Sequence, residues 1–286
     1  MTGGRLLAPA PFLVAGIVNV TPDSFSDGGF FLEQHAALGR VRQVVAEGAH
    51  MVDIGAESTR PGAADIGQDE EWRRLAPVLE ETRLLQQGLM RESGASEPPF
   101  AVAIDTFRSV TAAKALESGA YGIDAINDVS GGAFDPAMDE VLAQYKPGYV
   151  LGHSPARPDV MQNNPRYDDV VGDILAWFTK RMTALVKAGL PEDRIILDPG
   201  VGFGKNLEHT LAIFGALDRF AALGRPLYFG ISRKRFIGEI TGLETADRDA
   251  STQVATAYLA SRGVFAHRVH NVAQAVATLK MVRALP

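Results

Sequence analysis

The stretch Phe12-Leu13-Val14-Ala15-Gly16-Ile17-Val18 runs directly into Asn19-Val20-Thr21-Pro22-Asp23-Ser24-Phe25-Ser26-Asp27-Gly28-Gly29. The apolar part is typical of a buried β-strand, and the polar part, rich in Gly and Pro, is typical of an active-site loop. The pattern recurs where Met51-Val52-Asp53-Ile54-Gly55 leads into Ala56-Glu57-Ser58-Thr59-Arg60-Pro61-Gly62. Two such units predict loops on one functional face.

The same alternation continues to the end of the chain. Apolar runs of strand length predict strands at 12–18, 50–55, 100–105, 121–127, 148–152, 194–198, 226–230 and 264–269. Apolar residues recurring every three or four positions predict helices at 36–48, 69–88, 108–118, 135–145, 168–189, 207–223, 247–262 and 271–283.

Strands alternating with helices through eight units predict an α/β protein with a (β/α)8 TIM-barrel fold. A doubly wound open sheet is the alternative. The barrel is favoured because polar and charged clusters follow the predicted strands, and barrel active sites lie at the C-terminal ends of the strands. We expect one domain over residues 1–286, with 88–99 as a surface connection.

Composition narrows the class of protein further. The chain of 286 residues is 46% hydrophobic and 22% charged, which is ordinary for a globular protein with a large core. Its formal charge of −6 argues against a nucleic-acid partner. Without cysteine, it has neither disulfides, thiolate catalysis nor Cys-type zinc sites. We see no signal peptide or membrane span in the sequence, so we expect a cytoplasmic protein without a membrane partner.

Most residues at the predicted strand ends also have a structural interpretation. Asp53 can simply orient neighbouring loops, and Asp105 or Thr106 can cap the following helix. Asn127 and Asp128 can cap a turn, and a single histidine such as His153 is more often structural. The glycines of 199–204 are spaced GxGxG, which is not the GxGxxG fingerprint of dinucleotide-binding proteins.

Taken together, the strand-end residues point to a more specific chemistry. Asp105, Asn127 and Asp198 follow the third, fourth and sixth predicted strands, and their oxygens suit a heterocycle rich in N–H donors. Lys234 can donate to a carbonyl on the opposite edge of that ring. In a closed barrel the ends of the first, second and eighth strands are neighbours, so four further residues can hold a phosphate group together: Asn19, Thr59, Arg268 and His270.

Seven motifs carry a resemblance to a known family. Two of them are the loops at 19–29 and 53–62. The other five are Ile-Asp-Thr at 104–106, Ile-Asn-Asp-Val-Ser-Gly-Gly at 126–132, Asp-Pro-Gly-Val-Gly-Phe-Gly-Lys at 198–205, Ser-Arg-Lys at 232–234 and Arg-Val-His at 268–270. In sequence and order they resemble dihydropteroate synthase, over about residues 12 to 282.

The resemblance implies a Mg²⁺-dependent transferase of folate biosynthesis. It would join p-aminobenzoate to 6-hydroxymethyl-7,8-dihydropterin pyrophosphate through a carbocation, giving 7,8-dihydropteroate and pyrophosphate, and the resemblance suggests a homodimer. The main catalytic residues would be Asp105, Asp198, Lys234 and Arg268. The pterin pocket would consist of Asp105, Asn127, Asp198 and Lys234, and the pyrophosphate site of Asn19, Thr59, Arg268 and His270. The p-aminobenzoate pocket would consist of Phe25, Arg60, Pro61, Phe203, Lys234 and Arg235, and the Mg²⁺ ligands would be Asn19 and Asp27.

Three positions depart from the family pattern. Arg235 replaces a small Ser, so it either pairs with the aminobenzoate carboxylate or points away. The segment 152–158 differs from the family's Met-His-Met, which leaves His153 without a predicted role, and Asn271 replaces a common Asp beside His270. Two alternatives therefore stay open: a pterin-binding paralogue without catalytic activity, and a methyltransferase acting between a folate and a corrinoid protein.

Overall fold

The protein is described by a computed structural model over residues 11–20, 29–57, 65–162 and 165–286. Within these residues there are eight strands: β1 (Leu13–Asn19), β2 (Met51–Gly55), β3 (Ala101–Asp105), β4 (Ala125–Asp128), β5 (Gly148–Gly152), β6 (Ile195–Asp198), β7 (Tyr228–Phe229) and β8 (Ala266–Val269). The helices in the same residues are α1 (Gly29–Ala46), α2 (Gln68–Ser93), α3 (Ser109–Leu116), α4 (Met138–Tyr145), α5 (Val170–Ala188), α6 (Leu207–Gly215), α7 (Leu217–Ala221), α8 (Arg235–Thr241), α9 (Asp249–Ser261) and α10 (Val272–Ala284).

All eight strands are parallel, and they pair in the order β6-β5-β4-β3-β2-β1-β8-β7. The two edge strands then meet, because Leu197 and Leu227 form a parallel bridge and the Leu197 amide donates to the Pro226 carbonyl at 2.9 Å. The sheet is therefore a nearly closed barrel. This confirms the predicted TIM-barrel fold and excludes the open doubly wound sheet.

Strand alternation sorts the barrel side chains into two apolar clusters. In β3, for example, Ala101 and Ala103 belong to the small cluster inside the barrel, whereas Val102 and Ile104 belong to the larger cluster between the sheet and the helices. The interior cluster is rich in alanine, which leaves room for longer polar side chains above it. The site therefore lies directly above this small, mostly apolar cluster inside the barrel.

The structure differs from the predicted helices in two places. The helix expected at 207–223 is divided into α6 and α7 at Ala216, which has a non-helical conformation (φ −115°, ψ 22°). Helix α8 was not predicted at all, because its seven residues are too short to show a clear helical period.

The prediction of a surface connection at 88–99 was wrong over its first half. Helix α2 continues through Gly88 to Ser93 and ends at Gly94, which is in the left-handed conformation (φ 67°). A glycine inside a helix costs about 1 kcal/mol relative to alanine and does not by itself end the helix. In the described residues, no helix has the length and apolar character needed to cross a membrane.

Candidate active site

The residues predicted for the site are in phase with the barrel interior. Asp105 follows the inward-facing Ala101 and Ala103 by steps of two, and Asp198 follows the inward-facing Ile196 in the same way. The same relation places Asn127 after Ala125 and Arg268 after Ala266. The four side chains therefore gather at the C-terminal mouth of the barrel, where the sequence placed them.

Arg268 joins three of the strands through charge-assisted hydrogen bonds. Its Nε donates to Asp53, and its Nη2 donates to the Asp105 Oδ2 at 2.7 Å. Asp53 is fully buried and also accepts from the Asn127 Nδ2 at 3.0 Å. One interpretation of the sequence was that Asp53 simply orients neighbouring loops. In the structure it accepts hydrogen bonds from Arg268 and Asn127 and so orients these two side chains.

Burial dominates the electrostatics of this cluster. Desolvation raises the pKa of Asp105 to about 7, against the opposing effect of the Arg268 charge and with a further upward contribution from Asp53. The carboxylates of Asp53 and Asp105 hold the pKa of Arg268 above its ordinary value although desolvation opposes them, so this guanidinium is a permanent charge. An additional anion near Arg268 would meet a cation already oriented by the protein.

Asp198 and Lys234 form the opposite side of the mouth. Desolvation raises the pKa of Asp198, although the Lys234 charge and a hydrogen bond from the Gly200 amide at 2.8 Å act against it. The Lys234 Nζ contacts the Val201 carbonyl and lies 4.5 Å from the centre of the Phe203 ring. Desolvation also lowers the pKa of Lys234, to about 8. This pair offers an acceptor and a donor side by side, as the predicted heterocycle site requires.

The loop after β7 places Lys234 through an unusual backbone conformation. Arg233 has a positive φ of 60°, which is rare for a residue other than glycine. Its guanidinium makes two hydrogen bonds to Asp249 at the start of α9, at 2.6 and 2.9 Å, and its amide donates to the Thr252 Oγ1 at 3.2 Å. These contacts hold the turn that directs Lys234 to the mouth.

His270 follows β8 and is oriented by a residue that the sequence did not single out. Its Nδ1 lies 2.9 Å from the Ser232 Oγ, and its amide donates to the same oxygen at 3.2 Å. Asn271 instead caps α10 by accepting from the Gln274 amide at 3.1 Å, and its amide group donates to Asp249. The change from Asp to Asn is therefore accommodated by helix capping.

Three further buried residues hold the loops around the mouth: Asp128, His153 and Lys205. Asp128 accepts from the Ser130 and Gly132 amides, both at 2.8 Å, and from the Tyr149 hydroxyl at 2.8 Å, so it holds the turn after β4. Lys205 donates to His153, whose pKa is lowered to about 3, chiefly by desolvation. His153 is thus neutral and structural. Its partner Lys205 is the last residue of the motif at 198–205, and the sequence predicted no role for it.

The remaining predicted residues divide into two groups. Asn19 is exposed at the end of β1, beside Gly55 of β2. The Arg235 side chain is 83% exposed and is paired with Glu239 of the same helix at 2.6 Å. The predicted residues that lie outside the described part of the chain are Phe25, Asp27, Thr59, Arg60 and Pro61.

Several residues of the described site were not predicted from the sequence. Asp53 and Ser232 act through other site residues, and Lys205 is buried behind the mouth. The spacing of two between Met51 and Asp53 does carry a signal, because it puts Asp53 on the inner face. Nothing in the local sequence reveals which strands those side chains meet across the barrel.

The fold and the site define a TIM-barrel protein that can bind an anion beside a heterocycle with several N–H donors. Comparison with known proteins identifies the family. The profile of the family described as "Pterin binding enzyme" matches residues 15–270. The chain is 41% identical over 277 residues to the dihydropteroate synthase of Neisseria meningitidis serogroup B, covering 95% of this chain and 92% of that protein.

The chain therefore belongs to the pterin binding enzymes, and among them to the dihydropteroate synthase family. It is also 41% identical over 271 residues to the mitochondrial folate synthesis bifunctional protein of Arabidopsis thaliana, of which it spans 47%. Among solved structures, the dihydropteroate synthase of Xanthomonas albilineans in complex with 7,8-dihydropteroate has a TM-score of 0.81 and 35% identity, covering 96% of this chain and 94% of that one.

Proposed function

We propose that this protein is a dihydropteroate synthase, which joins p-aminobenzoate to 6-hydroxymethyl-7,8-dihydropterin pyrophosphate with release of pyrophosphate. The observation that carries the proposal is the convergence of five side chains at the mouth, in the positions that the family resemblance assigns to the pterin and its leaving group: Asp105, Asn127, Asp198, Lys234 and Arg268. The relatives are named for this activity, and one of them binds the joined product.

The pterin would lie between Asp198 and Asn127. An ionised Asp198 accepts two parallel N–H bonds from the 2-amino and N3-H edge, while Lys234 donates to the ring carbonyl. The contact between Asn127 and Asp53 fixes the orientation of the amide, because the Nδ2 donates to Asp53. The amide oxygen is then directed toward the substrate.

The pyrophosphate would lie beside Arg268, His270 and Asn19, together with Thr59 from outside the described residues. An arginine carries five N–H donors, and the contacts with Asp53 and Asp105 use only Nε and Nη2. The other donors would neutralise the charge that develops on the leaving oxygen. His270 is held next to Arg268 by the Ser232 hydroxyl.

We propose Mg²⁺ as the metal of the reaction, held by Asn19 and Asp27. In the described residues, no group of three or more His, Asp or Glu side chains is arranged to hold a metal. Mg²⁺ commonly uses one or two protein oxygens and the phosphates of its substrate. The exposed amide of Asn19 offers one such oxygen at the mouth. When bound, the metal would supply Lewis-acid stabilisation of the leaving phosphate.

The reaction would begin with loss of the leaving group. The bond between the pterin methylene carbon and the pyrophosphate oxygen breaks, and the electron pair leaves with the oxygen. The arylamine nitrogen then donates its lone pair to the methylene carbon and loses a proton to the released pyrophosphate. Ionised Asp105 and Asp198 would stabilise the cationic ring between these steps. Water must be kept out, because it would trap the cation as the alcohol.

The p-aminobenzoate would bind near Phe203 and Lys234, with Phe25, Arg60 and Pro61 completing its pocket. The Lys234 Nζ against the Phe203 ring presents a cation and an aromatic face together. Arg235 makes its ion pair with Glu239 instead, so we assign the carboxylate of this substrate to a donor other than Arg235.

We further propose a cytosolic homodimer built from one domain per chain. Exposed apolar residues occur on neighbouring helices at one side of the barrel, including Ile240 on α8 and Val254 and Tyr258 on α9. Val254 is 73% exposed, more than a side chain of this kind usually is in a monomer. Burial of such residues is typical of a subunit interface.

The proposed function is tested by a Mg²⁺-dependent assay with the pterin pyrophosphate and labelled p-aminobenzoate. We expect wild type and the control variant Lys187→Met, which changes an exposed residue of α5, to form dihydropteroate. Asp198→Asn and Arg268→Ala should lose most of the activity. Pterin binding without product would instead identify the non-catalytic paralogue, and methyl transfer from a methyltetrahydrofolate to a corrinoid would identify the methyltransferase.

A further inference from the structure

Lys205 is a buried lysine that the proposed chemistry does not use. It lies between β6 and α6, at the end of the glycine-rich loop, and is only 4% exposed. Burying an ammonium group costs several kcal/mol unless the protein satisfies its donors. An apolar residue would fill the same space without that cost, so the ammonium group must be stabilised by its contacts.

Desolvation lowers the pKa of Lys205 to about 7, and in its charged form all three donors of the ammonium group have acceptors in the protein. The Nζ lies 2.9 Å from the Phe203 carbonyl, 3.1 Å from the His153 carbonyl and 3.0 Å from the His153 Nδ1. An ammonium group has three N–H bonds, so these contacts leave none for a substrate. Lys205 therefore cross-links the loops after β5 and β6 and is not a ligand-binding group itself.

The cross-link fits closely packed backbone on both sides. A Cβ on Gly200 would lie 1.9 Å from the His153 carbonyl oxygen and 3.3 Å from the Lys205 Nζ. The His153 amide also donates to the Asp198 carbonyl at 3.0 Å. The loop that follows Asp198 is thus fixed near its start by His153 and at its end by Lys205.

Phe203 lies in this loop, between Gly200, which packs against His153, and Lys205. Its carbonyl is held by Lys205, and its ring lies against the Lys234 Nζ at 4.5 Å. The Phe203 amide also donates to the Gly200 carbonyl at 3.0 Å, so the backbone is held on both sides of its Cα, which restricts the positions of the ring that borders the second substrate. Without Lys205, the carbonyl would lose a charged donor and the loop could rotate.

We propose that Lys205 is a positioning residue for the arylamine substrate, which acts by fixing the Phe203 ring against Lys234. The inference rests on the proposed function for the identity of that substrate. It assigns a role in p-aminobenzoate affinity to a side chain that touches neither substrate. The hydrogen bonds of Lys205 go to His153 and Phe203 and not to the pterin-side residues Asp105, Asn127 and Asp198. Its charge acts on that side by opposing the desolvation that raises the pKa of Asp198.

Lys205→Met tests the proposal because it keeps the length of the side chain and removes the donors. We expect the KM for p-aminobenzoate to rise about tenfold, which corresponds to about 1.4 kcal/mol. The Kd of a pterin analogue should change less than twofold, and Lys187→Met should resemble wild type in both. A purely structural role would raise both constants together with a loss of thermal stability, and that result would overturn the proposal, as would an unchanged KM.

A double-mutant cycle shows whether Lys205 acts through Phe203. In a Phe203→Leu background, Lys205→Met should add little to the KM for p-aminobenzoate, since the ring it positions is absent. Additive effects would overturn the proposal. If Lys205→Met does not fold, Lys205→Arg replaces it in the same comparison, because it keeps a charge and donors but changes their geometry.

A structural readout separates this proposal from the proposed function. A crystal structure of Lys205→Met should show the Phe203 ring displaced from Lys234, whether or not the protein makes dihydropteroate. An undisplaced ring would overturn the positioning role alone. Failure of the wild type to form product would refute the proposed function alone.

Discussion

Arg268 is the residue on which the described site most depends, because it compensates two buried carboxylates. Its contacts to Asp53 and Asp105 join β8 to β2 and β3 across the barrel. A buried carboxylate that loses its cation either pays a large desolvation cost or takes up a proton. The same guanidinium thus supports both the structure of the mouth and its charge.

Arg268→Met should therefore lower the free energy of unfolding markedly. We expect a loss of about 3–5 kcal/mol, the cost of removing one partner of a buried ion pair. Urea unfolding at pH 7.5 measures it, with Arg225→Met, an arginine that bonds backbone carbonyls near the surface, as the control. A loss below about 1 kcal/mol would show that the Arg268 contacts are worth no more than surface ion pairs.

Asp198→Asn tests the proposed pterin clamp at the level of one atom. Asparagine keeps an oxygen for the Gly200 amide but replaces an acceptor with a donor, so the two parallel bonds to the pterin are lost. Hydrogen bonds to charged groups contribute about 1.5–3 kcal/mol, so the Kd of a pterin analogue should rise about 10- to 100-fold in calorimetry. The exposed Asp193→Asn should bind normally. Wild-type affinity in Asp198→Asn would refute the clamp.

The pKa values of Asp105 and Lys234 predict a narrow optimum of pH. Asp105, with a pKa raised to about 7, loses its negative charge as the pH falls below that value. Lys234, with a pKa lowered to about 8, loses its positive charge as the pH rises above it. The charged groups that contribute to these two shifts are Arg268, Asp53, Glu71, Asp128 and Asp198.

Both charged forms are required by the proposed chemistry, so kcat/KM for the pterin pyrophosphate should fall on both sides of the interval from pH 7 to 8. Asp105→Asn should change the acidic limb of this profile, to which Asp198 with its raised pKa also contributes, and should leave the alkaline limb unaltered. Persistence of the same acidic limb in Asp105→Asn would mean that another group causes it.

At the scale of elements, the loop between β6 and α6 shows how close backbone packing shapes the mouth. Gly200 has a φ of 72° and would place a Cβ 1.9 Å from the His153 carbonyl oxygen. Gly224, in the segment between α7 and β7, has nearly the same φ of 74° but nothing within 4 Å of the added carbon. The two glycines therefore separate the cost of conformation from the cost of a clash.

Gly224→Ala should destabilise the protein by about 1–2 kcal/mol, the cost of a left-handed conformation for a residue with a Cβ. Gly200→Ala should cost clearly more and should also reduce activity, because the loops carrying His153 and Phe203 must separate. Thermal unfolding and the synthase assay measure both variants. Equal effects in the two variants would contradict the packing argument.

At the scale of the whole molecule, the proposed dimer predicts a change of mass on mutation of its surface. Val254→Glu places a charge on a side chain that is 73% exposed, and it should convert a dimer to a monomer in light scattering. Leu84→Glu, which changes a residue of α2 that is 50% exposed, should leave the mass unaltered. A dimer that survives Val254→Glu would place the interface elsewhere.

Strand and helix periods predicted the fold, and they did so because each repeating unit must bury one face. The eight predicted strands were all found, although the strand expected at 226–230 is reduced to Tyr228–Phe229. The helix ends were predicted less well. Gly88 interrupts the helical pattern without interrupting α2, whereas Gly215 is followed by a real break at Ala216, so a glycine alone did not show where a helix ends.

The sequence by itself determined which residues face the mouth, because a period of two along each strand assigns side chains to one side of the sheet. It thereby placed Asp105, Asn127, Asp198 and Arg268 correctly. Only the tertiary structure decided which of them meet, as when Arg268 contacts Asp53 and Asp105 on two other strands. It also decided that Lys205 is buried against His153 and that Arg235 is paired with Glu239. The reason is physical: periodicity acts along one strand, whereas contacts across a barrel depend on its closure and on the volume inside it.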